Sequence, residues 1–246
     1  MDVQTLQQSS PTIPHFRFSP LTGILLVGLL LFPPLTAVAA SRSVADVVTH
    51  YGGKVQMRLQ PRFAFAGVEW PPERVMLVAF KDTRLLELWA HKRGAWQHIK
   101  DYRVKAMSGH AGPKLREGDR QVPEGEYQVE LLNPNSAYHL SLKLDYPNAF
   151  DRQQAEAEGR GNLGGDIFIH GGHVSTGCLA VGNIAAEELF VLAAMIGEAN
   201  VSVLITPRDY RFRARQPVPG NAPPWVDELH SQIVNRLQRF PLADKR

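Results

Sequence analysis

A short apolar run, Ile167-Phe168-Ile169, leads into His170-Gly171-Gly172, and a further glycine, Gly177, stands beside Cys178, the only cysteine of the chain. Few local structures accommodate this order. The apolar run asks for a buried strand, the glycines for a tight loop, and the periodicity after Asn183 for a helix. The expected unit is therefore strand, glycine-rich loop, Cys178, helix. A thiolate rather than a thiol attacks carbonyl carbon, so a catalytic cysteine needs a base at hand. His170, eight positions before Cys178, is close enough for the loop to fold it back. Gly177 lets the amides around Cys178 face a developing oxyanion. Two other readings of these residues stand beside this one. A lone cysteine also serves as a small buried apolar side chain. His170, His173 and Cys178 could bind a metal, but zinc asks for a fourth ligand and none stands nearby, so no metal is expected.

Ile-His-Gly-Gly followed by Ser-Thr-Gly-Cys resembles the signature of the L,D-transpeptidase catalytic domain family of the YkuD type, in its short-loop, YafK-like branch. The segment Gly112–Tyr127, with Val122-Pro-Glu-Gly125, is similar to the family's Thr-Pro-x-Gly segment. Asn133–His139 and Tyr146–Asp151 also resemble that branch, so the likeness runs from just after Pro72 to about Pro207. It implies an α+β fold with a mixed, mainly antiparallel sheet and flanking helices. It also implies a cysteine acyl-transfer enzyme acting on peptidoglycan peptide stems, including meso-diaminopimelate, with no cofactor. Cys178 would be the nucleophile, His170 the base, and the Gly171 carbonyl the group that orients the imidazole. Amides near Thr176, Gly177 and Cys178 would form the oxyanion hole. Tyr138, His139, Asn148, Asp151 and His173 are candidates for the substrate rim. Two departures stand out: Thr176 replaces the family's second histidine, and Ala180 stands where many members carry arginine. Some YafK-like members hydrolyse the amide between diaminopimelate and a wall-anchored lipoprotein, so hydrolysis is the alternative outcome. A non-catalytic wall-binding module is the third.

Residues 1–40 read as a signal peptide. Arg17 precedes an apolar run from Leu21 to Phe32, which ends at Pro33-Pro34 and small residues up to Ala40. This run is shorter than the ~20 apolar residues a spanning helix needs. Cleavage is expected after Ala39 or Ala40, with a periplasmic location; an uncleaved membrane anchor is the alternative. An exported chain with one cysteine has no disulfide framework. The net charge of +3 suits an anionic wall polymer, and the spread of Lys and Arg argues against nucleic acid.

Four regions follow from the pattern: 1–40, the signal peptide; 41–72, a lead-in packed on the domain; 73–207, the catalytic domain; and 208–246, a linker and amphipathic helix. The lead-in reads as a weak helix from Ser43 to about Gln60, interrupted at Gly52-Gly53, with Ala45, Val48 and Tyr51 on one face. A meander follows over Val75–Phe80, Arg84–Trp89 and Ala95–Val104. Ser108–Gly125 reads as a solvated loop carrying Lys114, Arg116, Asp119 and Arg120. Under the resemblance these cations lie near the cleft, where they could meet substrate carboxylates. Strands are expected over Glu126–Leu132 and His139–Leu144, and a short helix or flap over Gln153–Gly161. Asn183 is expected to cap a helix with Glu187 and Glu188 in its first turns and Leu189, Leu192 and Ile196 as its stripe. Val201–Thr206 is a buried strand. Trp225, Leu229, Ile233, Leu237 and Phe240 share one face of a terminal helix.

Overall fold

The computed structural model describes residues 41–215 and 222–242, so the expected signal peptide lies outside the described residues. In chain order the elements are α1 (Val44–Phe65), β1 (Val75–Phe80), β2 (Leu85–Lys92), β3 (Ala95–Arg103), β4 (Gly125–Asn133), β5 (Ser141–Leu144), α2 (Ala149–Ala157), β6 (Phe168–His170), β7 (Leu179–Ala180), α3 (Asn183–Ile196), β8 (Val201–Thr206) and α4 (Trp225–Leu237). The strands form one eight-stranded sheet in the order β3-β2-β1-β8-β4-β5-β6-β7. β1–β8 and β6–β7 are parallel and the other pairs antiparallel. This is the expected mixed, mainly antiparallel α+β architecture.

The run Val75-Met-Leu-Val-Ala-Phe80 is buried along its whole length because both faces of the sheet are covered. Val75, Leu77 and Ala79 point into a core shared with Val55, Leu59 and Phe63 of α1 and Leu189, Phe190 and Leu192 of α3. Met76, Val78 and Phe80 point the other way, against Leu229, Ile233 and Leu237 of α4 and against Phe240. Burying each such side chain contributes roughly 1.5–3 kcal/mol. Truncating Leu77 to Ala would therefore cost about 2–5 kcal/mol. The two-residue turn Arg93-Gly94 joins β2 to β3 with both φ angles positive, 46° and 85°, the geometry that matches the twist of a hairpin.

Several expectations need correction. α1 runs unbroken through Gly52-Gly53 to Phe65, capped by Ser43 with Asp46. Its buried residues are Val47, Val55, Leu59 and Phe63, while Ala45 is exposed and Val48 and Tyr51 only half-buried. Two glycines cost a helix about 1 kcal/mol each, which packing of this apolar stripe outweighs. α2 starts at Ala149, before the expected Gln153, because Asn148 and Asp151 make a reciprocal capping box. β5 begins at Ser141, since His139 has φ 78°, outside the strand region. The cap of α3 is Gly182, not Asn183, and no acidic residue lies in its first turn. Glu188 is instead fully buried, held by Arg58 Nε at 2.7 Å, Lys100 Nζ at 2.6 Å and the Tyr102 hydroxyl at 2.9 Å. It ties α1, α3 and β3 together. In α3 Ile196 is only half-buried, and in α4 Trp225 likewise, while Val226 and His230 join the buried face. No helix among the described residues is long and apolar enough to cross a membrane.

β4 carries a bend. Gly125–Gln128 pairs with β8, whereas Val129–Asn133 pairs with β5 across an irregularity between Val129 and Leu131. The short strands β5, β6 and β7 continue the sheet beyond this irregularity. Those strands carry the candidate site.

Candidate active site

β6 is only three residues long and ends on His170, with β5 on one side and β7 on the other. His170 pairs with Ala180 in the parallel β6–β7 ladder, so Cys178 stands on the chain just entering the neighbouring strand. His170 and Cys178 line one cleft of about 350 Å³ together with Asn133, Tyr138, Ser141, Phe168 and Thr176. Cys178 is a free, half-buried thiol, and His170 is 3 % exposed.

The loop between them is held by specific contacts. A Cβ at Gly171 would lie 2.5 Å from the Tyr138 carbonyl oxygen and 2.7 Å from Asn183 Oδ1, so only glycine fits. Asn183 Oδ1 accepts from the Gly172 amide at 2.8 Å. The side chain expected to cap α3 thus fastens the loop. Ser175 Oγ accepts from the Cys178 amide at 3.1 Å and donates to the Cys178 carbonyl at 2.6 Å. Ser108 Oγ accepts from the Gly177 amide at 2.6 Å and donates to the Arg120 carbonyl at 2.8 Å. The amides of Gly177 and Cys178, expected as oxyanion donors, therefore both donate to serine hydroxyls. Gly177, with φ 83°, is buried behind the cleft, while Thr176 lines it and its amide makes no hydrogen bond among the described residues.

His170 Nδ1 lies 2.7 Å from the Gly171 carbonyl oxygen, which can only accept. Nδ1 therefore carries the proton and Nε2 keeps its lone pair. The Tyr138 ring packs on the imidazole with centroids 4.7 Å apart. Burial pushes the His170 pKa below its ordinary value, against the Gly171 hydrogen bond. Burial pushes the Cys178 thiol up; the Phe168 amide works against that, Asp166 adds to it and Lys114 offsets part. The thiol points at the Asp166 carbonyl, 3.6 Å away. Burial thus favours the neutral form of both groups, imidazole and thiol.

The remaining candidates lie elsewhere. His139 faces Glu187, with Nε2 3.1 Å from Oε1, and does not line the cleft. Asn148 and Asp151, expected at the rim, cap α2 instead, and Asp151, pushed by burial to about 6, accepts from Tyr127. His173 is exposed, outside the cleft lining and near Gly182. Lys114, expected in solvent, is buried and paired with Asp119 at 2.7 Å. Sequence reasoning missed Ser108, Ser175 and the loop contact of Asn183. It also missed Arg42, whose guanidinium donates to the Pro134 and His139 carbonyls and whose amide donates to Asn135. These contacts anchor the segment that presents Tyr138. Neither Ser108 nor Arg42 carries a local signal, because each meets the site only through the fold. Among the described residues no group of three His, Cys, Asp or Glu side chains is placed to hold a metal ion.

The model of the YkuD family, described as the L,D-transpeptidase catalytic domain, matches residues 74–203. The Escherichia coli K12 protein named "Putative L,D-transpeptidase YafK" is 36% identical over 138 residues, 54% of this chain and 54% of its own. This chain thus spans about half the length of the curated relatives it matches. Among solved structures, the helical cell shape determining protein Pgp2 of Campylobacter jejuni is 24% identical, with a TM-score of 0.45 over 55% of this chain and 48% of its own. Bd1075 of Bdellovibrio bacteriovorus is 23% identical, with a TM-score of 0.41 over 68% of this chain and 55% of its own.

Proposed function

This chain belongs to the L,D-transpeptidase (YkuD) catalytic domain family, and from that premise we propose that it is an exported, periplasmic cysteine enzyme acting on peptidoglycan peptide stems through a thioester on Cys178. The observation that carries this reading is the pairing in one cleft of a half-buried thiol with an imidazole whose Nδ1 is already committed to the Gly171 carbonyl. Nε2 is the lone pair left to take a proton. Because burial favours the neutral form of both groups, proton transfer from Sγ to Nε2 accompanies attack on the carbonyl carbon of the stem, beside its diaminopimelate residue. The tetrahedral oxyanion is met by the Thr176 amide. The Gly177 and Cys178 amides can join only by exchanging their serine acceptors for the oxyanion. Collapse breaks the carbon–nitrogen bond, and the imidazolium of His170 returns its proton to the leaving amine. The thioester then passes its acyl group to an amine or to water.

Hydrolysis is the second reading, favoured by the openness of the loop. The His170–Cys178 connection is short, Val174 within it is 61 % exposed, and Ala180 supplies no arginine to hold an acceptor. Transfer requires water to be excluded while an amine waits. A lipoprotein linked to diaminopimelate would be the substrate of such a hydrolase. The test offers a diaminopimelate-linked lysine substrate with excess D-amino acid in oxygen-18 water. Aminated product identifies the transferase and heavy oxygen in the released acid the hydrolase. Absence of both, with no acyl adduct on Cys178, leaves a wall-binding module.

A further inference from the structure

The larger cavity, about 850 Å³, is not the one at Cys178. Its walls come from the 110–121 segment, residues 160–162 after α2, residues 207–210 after β8 and the start of α4. Three arginines, Arg116, Arg160 and Arg208, reach it from three of these walls. Between them lie the apolar surfaces of Pro113, Leu115, Pro207, Pro223 and Val226.

Of the acidic groups nearby, Glu117 accepts from the Asn162 side-chain amide and has no cationic partner among the described residues, while the others are paired with cations. Asp119, the one carboxylate in the lining, is bound by Lys114 at 2.7 Å and by the Leu115, Arg116 and Gln121 amides. Glu124 behind His230 is taken by Lys81, His230 and the Gly112 amide. Arg160 donates from Nε to Glu158 at 2.6 Å and from Nη1 to the Leu115 carbonyl at 2.7 Å, and its Nη2 has no acceptor among the described residues. Arg116 and Arg208 have no carboxylate partner among the described residues. The cavity thus holds surplus positive charge in fork-shaped donors that match carboxylates.

We propose that this cavity binds an acidic peptide segment, its carboxylates taken by Arg116, Arg160 and Arg208 and its backbone laid along the proline-lined walls. The volume falls in the range of about 300–1,000 Å³ typical of ligand sites. Cations on three separate walls suit spaced carboxylates better than a single phosphate, which asks for donors converging on one point. The site is joined to the nucleophile loop. Gln121 is among the cavity-lining residues, and its carbonyl oxygen is 3.6 Å from where a Cβ on Gly177 would stand. The proposal does not depend on the acyl-transfer reading.

The test is calorimetric titration of the full chain with acetyl-Ala-Glu-Glu-Ala-amide, with its Gln-Gln analogue and with inorganic phosphate. The acidic peptide is expected to bind, the Gln-Gln analogue at least about tenfold more weakly. Arg116→Gln and Arg208→Gln, both at accessible side chains, should each weaken binding about tenfold, and raised salt should weaken it further. Cys178→Ala should bind as the native chain does. Equal binding by the arginine variants overturns the proposal, as does phosphate binding without peptide binding. Loss of peptide binding in Cys178→Ala would move the peptide to the catalytic cleft and overturn it too. An inactive Cys178→Ala that still binds separates this site from the catalytic one.

Discussion

Two clusters of buried ionisable groups sit in this molecule, and they have opposite characters. Lys81 is buried at the end of β1, yet all three of its donors are used, to the Gly112 and Val122 carbonyls at 2.8 Å each and to Glu124 at 3.0 Å. Burial works to raise the Glu124 carboxyl, but Lys81, His230 and the Gly112 amide together hold it below its ordinary value. Burial pushes the Lys81 ammonium below its ordinary value against the pull of Glu124, so the pair is held by its full set of hydrogen bonds as well as by its opposite charges. At the other cluster His170 is buried and Cys178 half-buried, neither forms an ion pair among the described residues, and burial favours the neutral form of both. The first arrangement fixes protons and joins β1, the 110–124 segment and α4. The second has no such partners, and in the proposed mechanism its proton would pass from sulfur to nitrogen. The presence of charged partners, more than burial itself, distinguishes the two clusters.

The sharpest way to break this contrast is to remove one member of each cluster. Cys178→Ser is expected to abolish turnover of a muropeptide substrate while leaving the thermal unfolding midpoint unchanged, since the hydroxyl is similar in size but far harder to ionise. Glu124→Ala should do the reverse in kind. It strands a buried ammonium and should lower stability in urea by about 3–5 kcal/mol. A stability loss under about 1 kcal/mol would show that the Lys81 cluster is not compensated as described. His170→Ala should cost at least about a hundredfold in kcat/KM, and a near-native rate would remove it from the mechanism.

Acidity sharpens the comparison further. Because the His170 pKa is lowered, the base stays unprotonated as pH falls through the usual imidazole range. The acid limb of kcat/KM should therefore lie below about pH 6.5. The Cys178 pKa is raised, so its alkylation by iodoacetamide should be slow at neutral pH and still climbing above about pH 8.5, the ordinary thiol value. Fast labelling at mildly acidic pH would mean a resting thiolate–imidazolium pair. The smallest effect is expected at His173, exposed and outside the cleft. His173→Ala should change kcat/KM by less than about tenfold.

What could be read from the sequence depended on how far apart the interacting residues lie. His170, the glycines and Cys178 are near neighbours in the chain, so their juxtaposition was legible. The strands of the meander were legible for the same reason, since each turn joins adjacent runs. Asn148 and Asp151 carry a local signal as well, an Asn-x-x-Asp capping box, which accounts for both residues without a place at the rim. The phase of α1 was misread because Gly52-Gly53 suggested a break, and the partner that settles the phase, α3, lies more than a hundred residues away. Ser108, Arg42 and the arginine-lined cavity are assembled from segments that meet only after the sheet has formed. No periodicity or motif announces them.

The bend in β4 has a consequence for cooperativity. One strand serves two ladders, its first half bonded to β8 and its second half to β5. Beyond it β5, β6 and β7 shorten to four, three and two residues. Apart from this strand's own backbone, the β-pairing between the two sides is a single bridge, Ala106, just after β3, with Ala180 of β7. Local opening of the outer three strands therefore leaves the pairing of β1, β2, β3 and β8 intact. The end of the sheet that carries the His170–Cys178 cleft is the end with the shortest ladders, and its geometry rests on that one bridge and on side-chain ties, from Ser108, Asn183 and Arg42, that reach in from outside its strands.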